Sequence, residues 1–248
     1  MPPRKCAMSS EPATPPKRLR LEHPPTQLEP SGTVALLPGH DAHLTIVRQV
    51  MRPLTPAAFA ELWTSAPGPT RTRFGLQLRR RQGFFSDASS DATYTFGFES
   101  NPNLGEISQA PAAVRACMDI VRSDVEARFP ELDTSNGFVA QINWYANGKA
   151  GINYHQDDES SHTNHPIWSI TFLHAPEESD QATYRYFLIS TDPKGVDVVR
   201  AVALQNTDMV VMEGGDFQKK LWHSVPPTTS RRFRDQQRVN VTFRCLSA

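Results

Sequence analysis

Asn143-Trp144-Tyr145 is followed, ten residues beyond the tyrosine, by His155-Gln156-Asp157, and much later by Arg238-Val239-Asn240-Val241-Thr242-Phe243-Arg244. Side chains on a strand alternate between its two faces. Read as strands, these segments project Asn143 with Tyr145, His155 with Asp157, and Arg238 with Asn240, Thr242 and Arg244. One imidazole beside one carboxylate, with a distant second imidazole at His223, supplies the donors of a two-His-one-carboxylate facial triad. Such a triad holds non-haem Fe(II) on one side and leaves positions open for substrates. An arginine on a late strand can grip a dicarboxylate through a planar two-pronged hydrogen bond. A lone His-x-Asp has a plainer reading, a surface histidine beside acids. The ordered set of four motifs is what separates the two.

That set resembles the AlkB family of Fe(II)- and 2-oxoglutarate-dependent dioxygenases, over a stretch from about Arg79 to Arg244. The family's Asn-x-Tyr stands as Asn143-Trp144-Tyr145, its His-x-Asp as His155-Gln156-Asp157, and its distal histidine as His223 within Leu221-Trp222-His223-Ser224-Val225-Pro226. Its closing Arg-x-Asn-x-Thr-x-Arg runs unbroken from Arg238 to Arg244. The resemblance implies that His155, Asp157 and His223 ligate Fe(II). It implies that 2-oxoglutarate, the co-substrate, chelates the metal and sends its distal carboxylate to Arg238. Asn143, Tyr145 and Asn240 would bond the same molecule, with Arg244 at the floor of that site. The implied reaction consumes dioxygen (O2), releases succinate and carbon dioxide, and hydroxylates an N-methyl carbon that leaves as formaldehyde. The implied substrate is alkylated DNA, single- or double-stranded, carrying N1-methyladenine or N3-methylcytosine. Methylated RNA is the alternative within this chemistry. A catalytically silent β-barrel that binds nucleic acid or protein is the alternative outside it, and the complete triad with Arg238 argues against that.

Three further residues take their roles from the resemblance. Tyr94-Thr95-Phe96 matches a Tyr-Thr-aromatic element that belongs to the lid over the target base; without it, Tyr94 and Phe96 read as core aromatics of a strand. A base must leave its stack to reach buried iron, which gives an aromatic platform its purpose. Glu159 falls two residues beyond Asp157, where a carboxylate would suit a cationic methylated base with an exocyclic amino donor. The pattern also departs from the family: Phe85-Ser86 replaces Tyr-Gly, Leu173 stands where glycine is usual, and the loop from Ser224 to Gln237 is longer.

Lysine and arginine balance aspartate and glutamate at 26 each, so nucleic-acid binding has to rest on local patches. Cys6, Cys117 and Cys245 are odd in number and widely spaced, pointing to a reducing intracellular compartment with neither a disulfide framework nor a zinc site. No apolar run approaches the roughly 20 residues of a membrane helix, and no secretory core opens the chain. The expectation is therefore a monomer away from membranes. Residues 1–38, rich in proline, serine and charge, read as a disordered tail. Its Pro15-Pro16-Lys17-Arg18-Leu19-Arg20 cluster is either an import signal or an ordinary charged segment, and the resemblance favours the nucleus.

Residues 39–248 form the dioxygenase domain, divided into a nucleotide-recognition extension with scaffold helices (39–136) and a catalytic β-helix (137–248). In the first part, Thr55-Pro56 predicts a helix start, with Phe59, Leu62 and Trp63 on one face. Arg71, Arg73, Arg79, Arg80 and Arg81 mark a basic strand-like segment, either solvated surface or a phosphate grip. Val114, Cys117, Met118, Val121 and Val125 fall at helical spacing, predicting a scaffold helix over 111–129. From Gly137 onwards short strands are expected over 138–145, 153–157, 167–173, 184–190, 198–204, 208–212 and 238–245. The fold class is therefore mainly β with packed helices: a double-stranded β-helix, or jelly-roll, core preceded by an α/β N-terminal extension.

Overall fold

In the computed structural model the described residues are 28–70, 77–88, 95–96, 99–100, 104–157, 165–174, 184–228 and 235–246. In chain order the elements are β1 (Gly32–Ala35), β2 (His43–Val47), α1 (Pro56–Thr64), β3 (Arg80–Ser86), the short β4 (Thr95–Phe96) and β5 (Glu99–Ser100), β6 (Leu104–Glu106) and α2 (Ala112–Arg128). There follow β7 (Phe138–Tyr145), β8 (Ile152–His155), β9 (Ile167–Leu173), β10 (Arg185–Ser190), β11 (Val198–Leu204), β12 (Met209–Glu213), α3 (Phe217–Lys220), β13 (Trp222–Val225) and β14 (Arg238–Cys245). An eight-stranded sheet has the order β1-β2-β12-β9-β14-β7-β3-β6, and a four-stranded sheet the order β11-β10-β13-β8. Together they make the jelly-roll sandwich.

β14 lies between β7 and β9, pairing Asn240 with Asn143 on one side and Thr171 on the other. Its alternation decides which groups face which layer. Val239, Val241, Phe243 and Cys245 point outward with Phe138, Ala140, Ile142 and Trp144 of β7, into one apolar cluster with Leu62, Val114, Cys117, Met118 and Val121 of the two long helices. The opposite parity carries Arg238, Asn240, Thr242 and Arg244, which face the smaller sheet. A second apolar cluster, including Leu44, Ile46, Phe187, Ile189, Val202 and Leu204, fills the rest of the space between the sheets. Both faces of β7 and β14 are therefore buried, although only one is apolar.

The helices follow local chemistry. Thr55 Oγ1 accepts the Ala58 N–H at 3.2 Å, satisfying one orphan donor at the start of α1, where Pro56 needs no partner. Helix α2 buries the five residues at helical spacing and extends over Ala112–Arg128, within the predicted bounds. Among the described residues no helix is long and apolar enough to cross a membrane.

Some expectations change. Residues up to 27 lie outside the described residues, but Gly32–Ala35, placed with the disordered tail, pairs as β1 along β2. The stretch read as an N-terminal extension contributes β2 to the large sheet beside β12, and β3 beside β7 with Arg80 opposite Tyr145. The strand expected to reach Asp157 ends at His155, and β13 and α3 are additional elements.

The outward parity of β14 gives the first prediction. Phe243 is fully buried between α2 and the large sheet. Phe243→Ala should cost about 3–5 kcal/mol in equilibrium denaturation, the range for deleting a core aromatic. A loss below about 1 kcal/mol would mean that this face is not packed as described.

Candidate metal and co-substrate site

β8 and β13 are antiparallel neighbours, and their register sets His223 opposite His155 with ring centroids 4.2 Å apart. Asp157, two residues past the end of β8, brings its carboxylate to both rings. Oδ1 lies 3.7 Å from His155 Nε2, and Oδ2 3.7 Å from His223 Nε2. The three donor atoms lie within 4.8 Å of one another, the spread of ligands around one ion. His155 Nδ1 sits 2.9 Å from the Asn153 carbonyl. A carbonyl only accepts, so Nδ1 carries the proton and the Nε2 lone pair is free towards the site.

Protonation states also fit a cation. Burial first, and the neighbouring His155 second, push the His223 imidazole down to about 3, so it is neutral at physiological pH. Burial alone would raise the Asp157 carboxyl. The Arg244 guanidinium, followed by His223 and His155, outweighs burial and holds it well below the usual carboxylate range. Arg244 Nη2 meets Asp157 Oδ2 at 3.0 Å, and its Nη1 donates to Gln141 Oε1 at 2.8 Å. The Asp157 N–H donates to Gln218 Oε1 at 2.9 Å, and Gln218 Nε2 reaches the Met212 sulfur at 3.7 Å. A neutral imidazole at His223 and an ionised carboxylate at Asp157 are forms that a metal can bind.

Beside the triad lies a cradle for an acid. Arg238, the first residue of β14, is 1% exposed. Its Cζ stands 4.7 Å from the Tyr145 ring centroid, and Nη2 donates to Thr171 Oγ1 at 3.3 Å. Its Nε and Nη1 are buried with no hydrogen-bond partner among the described residues. Orphaned charged donors are costly, and a carboxylate accepting a two-pronged bond would satisfy them. Asn143 Oδ1 accepts from Arg80 Nε at 3.1 Å. Asn240 spends both amide protons inside the protein, on Ser169 Oγ and the Ile170 carbonyl, each at 2.9 Å. Its role is to tie β14 to β9 while lining the cavity.

The fold thus gathers His155, Asp157, His223, Asn143, Tyr145, Arg238, Asn240 and Arg244 around one cavity between the sheets. Arg244, expected at the floor of the co-substrate site, lines the same cavity and meets Asp157 there. Tyr94 and Glu159 lie outside the described residues, and Phe96 is described only as a backbone position in β4. Gln141 and Gln218 were not anticipated, and Arg80, read as part of a basic segment, lines the cavity. Gln141 shares the parity of Asn143 and could have been read from it, whereas nothing local marks Gln218.

Two losses should differ in kind. His155→Ala should abolish tight Fe(II) or Mn(II) binding in calorimetry while leaving the melting transition nearly unchanged. Asp157→Ala should abolish it too, but also destabilise the fold by about 3–5 kcal/mol, since Arg244 stays buried without its carboxylate. Gln218→Leu, which frees the Asp157 N–H, should weaken metal binding about 10–100-fold. Parent-like affinity in all three would dismiss this site.

No curated protein matches the sequence. Among solved structures, a prolyl hydroxylase in complex with a hypoxia inducible factor oxygen degradation domain peptide fragment from Trichoplax adhaerens is similar at 10% identity and a TM-score of 0.46, covering 82% of this chain and 83% of its own. IDO from Bacillus thuringiensis is similar at 14% identity and a TM-score of 0.45, covering 82% and 89%. A family-wide sequence profile described as the 2OG-Fe(II) oxygenase superfamily matches residues 60–244. That span takes in the triad and β14 through Arg244, and the chain belongs to the 2OG-Fe(II) oxygenase superfamily, with Fe(II), 2-oxoglutarate and dioxygen as its reactants of iron chemistry.

Proposed function

We propose that this dioxygenase is an oxidative demethylase of the AlkB type, which removes methyl groups from N1-methyladenine and N3-methylcytosine in DNA. The observation that carries the reading is the convergence of all four motifs on one cavity. Asn143 and Tyr145, the His155/Asp157 pair, His223, and the alternate residues of β14 all line it.

Bound Fe(II) with 2-oxoglutarate and dioxygen supplies an oxidant able to hydroxylate an unactivated C–H bond. Everything else is positioning. His155 Nε2, His223 Nε2 and the Asp157 carboxylate would hold one side of the metal, leaving the opposite side for the co-substrate and dioxygen. Arg238 would fix the distal carboxylate through its free Nε and Nη1. Ile152, Phe187, Met212 and Val225 line the same cavity and restrict water around the reacting groups. A methyl carbon hydroxylated on a ring nitrogen then loses formaldehyde and regenerates the base. Glu159 is proposed to read the cationic base edge, and Tyr94 and Phe96 to stack on the displaced base.

The rim supports a polyanionic substrate. Arg80 lines the cavity, whereas Arg81, the next residue of β3, lies on the other face of that strand, 5.2 Å over the Trp63 ring. Phosphates of a nucleic-acid strand are their proposed partners. The Pro15–Arg20 cluster is proposed as a nuclear-import signal, consistent with a genomic substrate.

Purified protein with Fe(II), 2-oxoglutarate and oligonucleotides bearing defined methyl lesions should restore unmodified bases and release formaldehyde. Glu159→Ala should lower repair of cationic lesions more than of neutral ones, while sparing substrate-independent succinate formation. Arg238→Ala should raise the 2-oxoglutarate requirement sharply, and Arg238→Lys should recover only part of it. Succinate formation without base reversion on any DNA or RNA lesion would reject the substrate class. Preference for RNA in direct competition would keep the chemistry and move the substrate.

A further inference from the structure

Two asparagines line the cavity, and they spend their amides differently. Asn240 donates both amide protons inside the protein, to Ser169 Oγ and the Ile170 carbonyl, and its Oδ1 accepts from Thr242 Oγ1 at 3.2 Å. Asn143 is 5% exposed and makes one side-chain hydrogen bond among the described residues. In it, Asn143 Oδ1 accepts from Arg80 Nε at 3.1 Å, and Arg80 lines the same cavity.

The strand register explains the contact. Arg80 of β3 stands opposite Tyr145 of β7, and Gln82 opposite Asn143. Arg80 and Asn143 are therefore diagonal neighbours on the inner face, a separation that a long side chain spans. A guanidinium only donates, so the atom of Asn143 that meets Arg80 is the carbonyl oxygen. The NH2 group is the end left without a partner among the described residues. Gln141, two residues earlier on the same face, is fixed by the same device, its Oε1 accepting from Arg244 Nη1 at 2.8 Å.

We propose that Arg80 is a positioning residue for the co-substrate: by holding the Asn143 carbonyl, it keeps the Asn143 NH2 group available as a donor to 2-oxoglutarate. This rests on the reading that Asn143 bonds the co-substrate in this cavity. Ionised 2-oxoglutarate offers only acceptors, two carboxylates and a keto oxygen. An amide presenting its carbonyl would set lone pairs against lone pairs. Size does not settle the orientation, because the two ends of an asparagine amide are nearly the same. The cavity itself favours the unproductive one, since Arg238 and Arg244 line it and attract a carbonyl oxygen. Both sit on β14, whereas Arg80 comes from β3 on the other side of β7 and supplies the opposing pull. Only Nε is used in this way, so the terminal nitrogens stay free for the phosphate contact proposed above.

The test is anaerobic calorimetric titration of 2-oxoglutarate into the Mn(II)-loaded full chain, without nucleic acid. Arg80→Met removes the donor at similar length and should weaken 2-oxoglutarate about tenfold, the effect of losing one charge-assisted hydrogen bond. Mn(II) affinity should stay at parent level. Arg80→Lys restores a donor and should recover most of the loss. Asn143→Ala should weaken 2-oxoglutarate to a similar extent, and adding Arg80→Met to it should cost nothing further, because residues acting through one group are not additive. Arg80→Ala carries the same comparison if the methionine variant does not fold. Losses that multiply in the double variant, or parent-like affinity without Arg80 beside a weakened Asn143→Ala, would overturn the proposal alone. Mn(II) affinity falling as far as 2-oxoglutarate affinity would also overturn it and leave Arg80 a structural residue. Parent-like affinity in Asn143→Ala would reject the co-substrate role of Asn143 and the proposal with it.

Discussion

Asp157 is an ionised carboxylate enclosed by protein, and an isolated buried charge would be prohibitively unfavourable. Arg244 from β14 meets it at 3.0 Å, two imidazoles flank it, and Gln218 accepts its backbone N–H. This compensation permits a metal site in the interior of a sandwich. It also explains why the inner face of the large sheet is polar yet buried. Gln141 extends the arrangement by accepting from Arg244, so the carboxylate is positioned through a chain of hydrogen bonds rooted in β7 and β14.

The remaining architecture supplies what such a face needs. Helices α1 and α2 seal the opposite, apolar side of the large sheet, where Trp144 Nε1 also donates to the Leu62 carbonyl at 2.8 Å. The stability of the large sheet therefore resides mainly away from the chemistry. The smaller sheet brings His155 and His223 across the gap. The site is bipartite: β7 and β14 contribute the amide and guanidinium groups, while the strands opposite contribute both imidazoles. Aligning the two sheets is thus equivalent to assembling the site.

Much of this was legible in the chain. The alternation is unbroken over 238–245, and the strands over 138–145, 167–173 and 238–245 form with the expected bounds. The period of Val114 to Val125 likewise defined α2, because a long amphipathic pattern has one low-energy arrangement. His155, Asp157 and His223 were recognisable as a set, and the structure brings them together. Short elements were not legible: β13 is four residues long, and its identity comes from pairing with β8 and β10 rather than from propensity. β1 falls in a stretch whose composition resembles a tail, and it becomes a strand through β2. Gln218 acquires meaning only from a partner 61 residues away, a separation no local pattern encodes. Arg244 illustrates the converse. Its strand face was readable from the alternation, but its ion pair with Asp157 was not, because that contact joins two segments far apart in the chain.

The central claim is that the cavity between the sheets binds Fe(II) and 2-oxoglutarate together, with the metal held by His155, Asp157 and His223. The most direct measurement is anaerobic optical titration of the Fe(II)-loaded protein with 2-oxoglutarate. Chelation of Fe(II) by the keto acid should produce a visible charge-transfer band that saturates at equimolar co-substrate and is absent from His223→Ala. A protein that shows no such band, or an unchanged band in His223→Ala, would contradict the account.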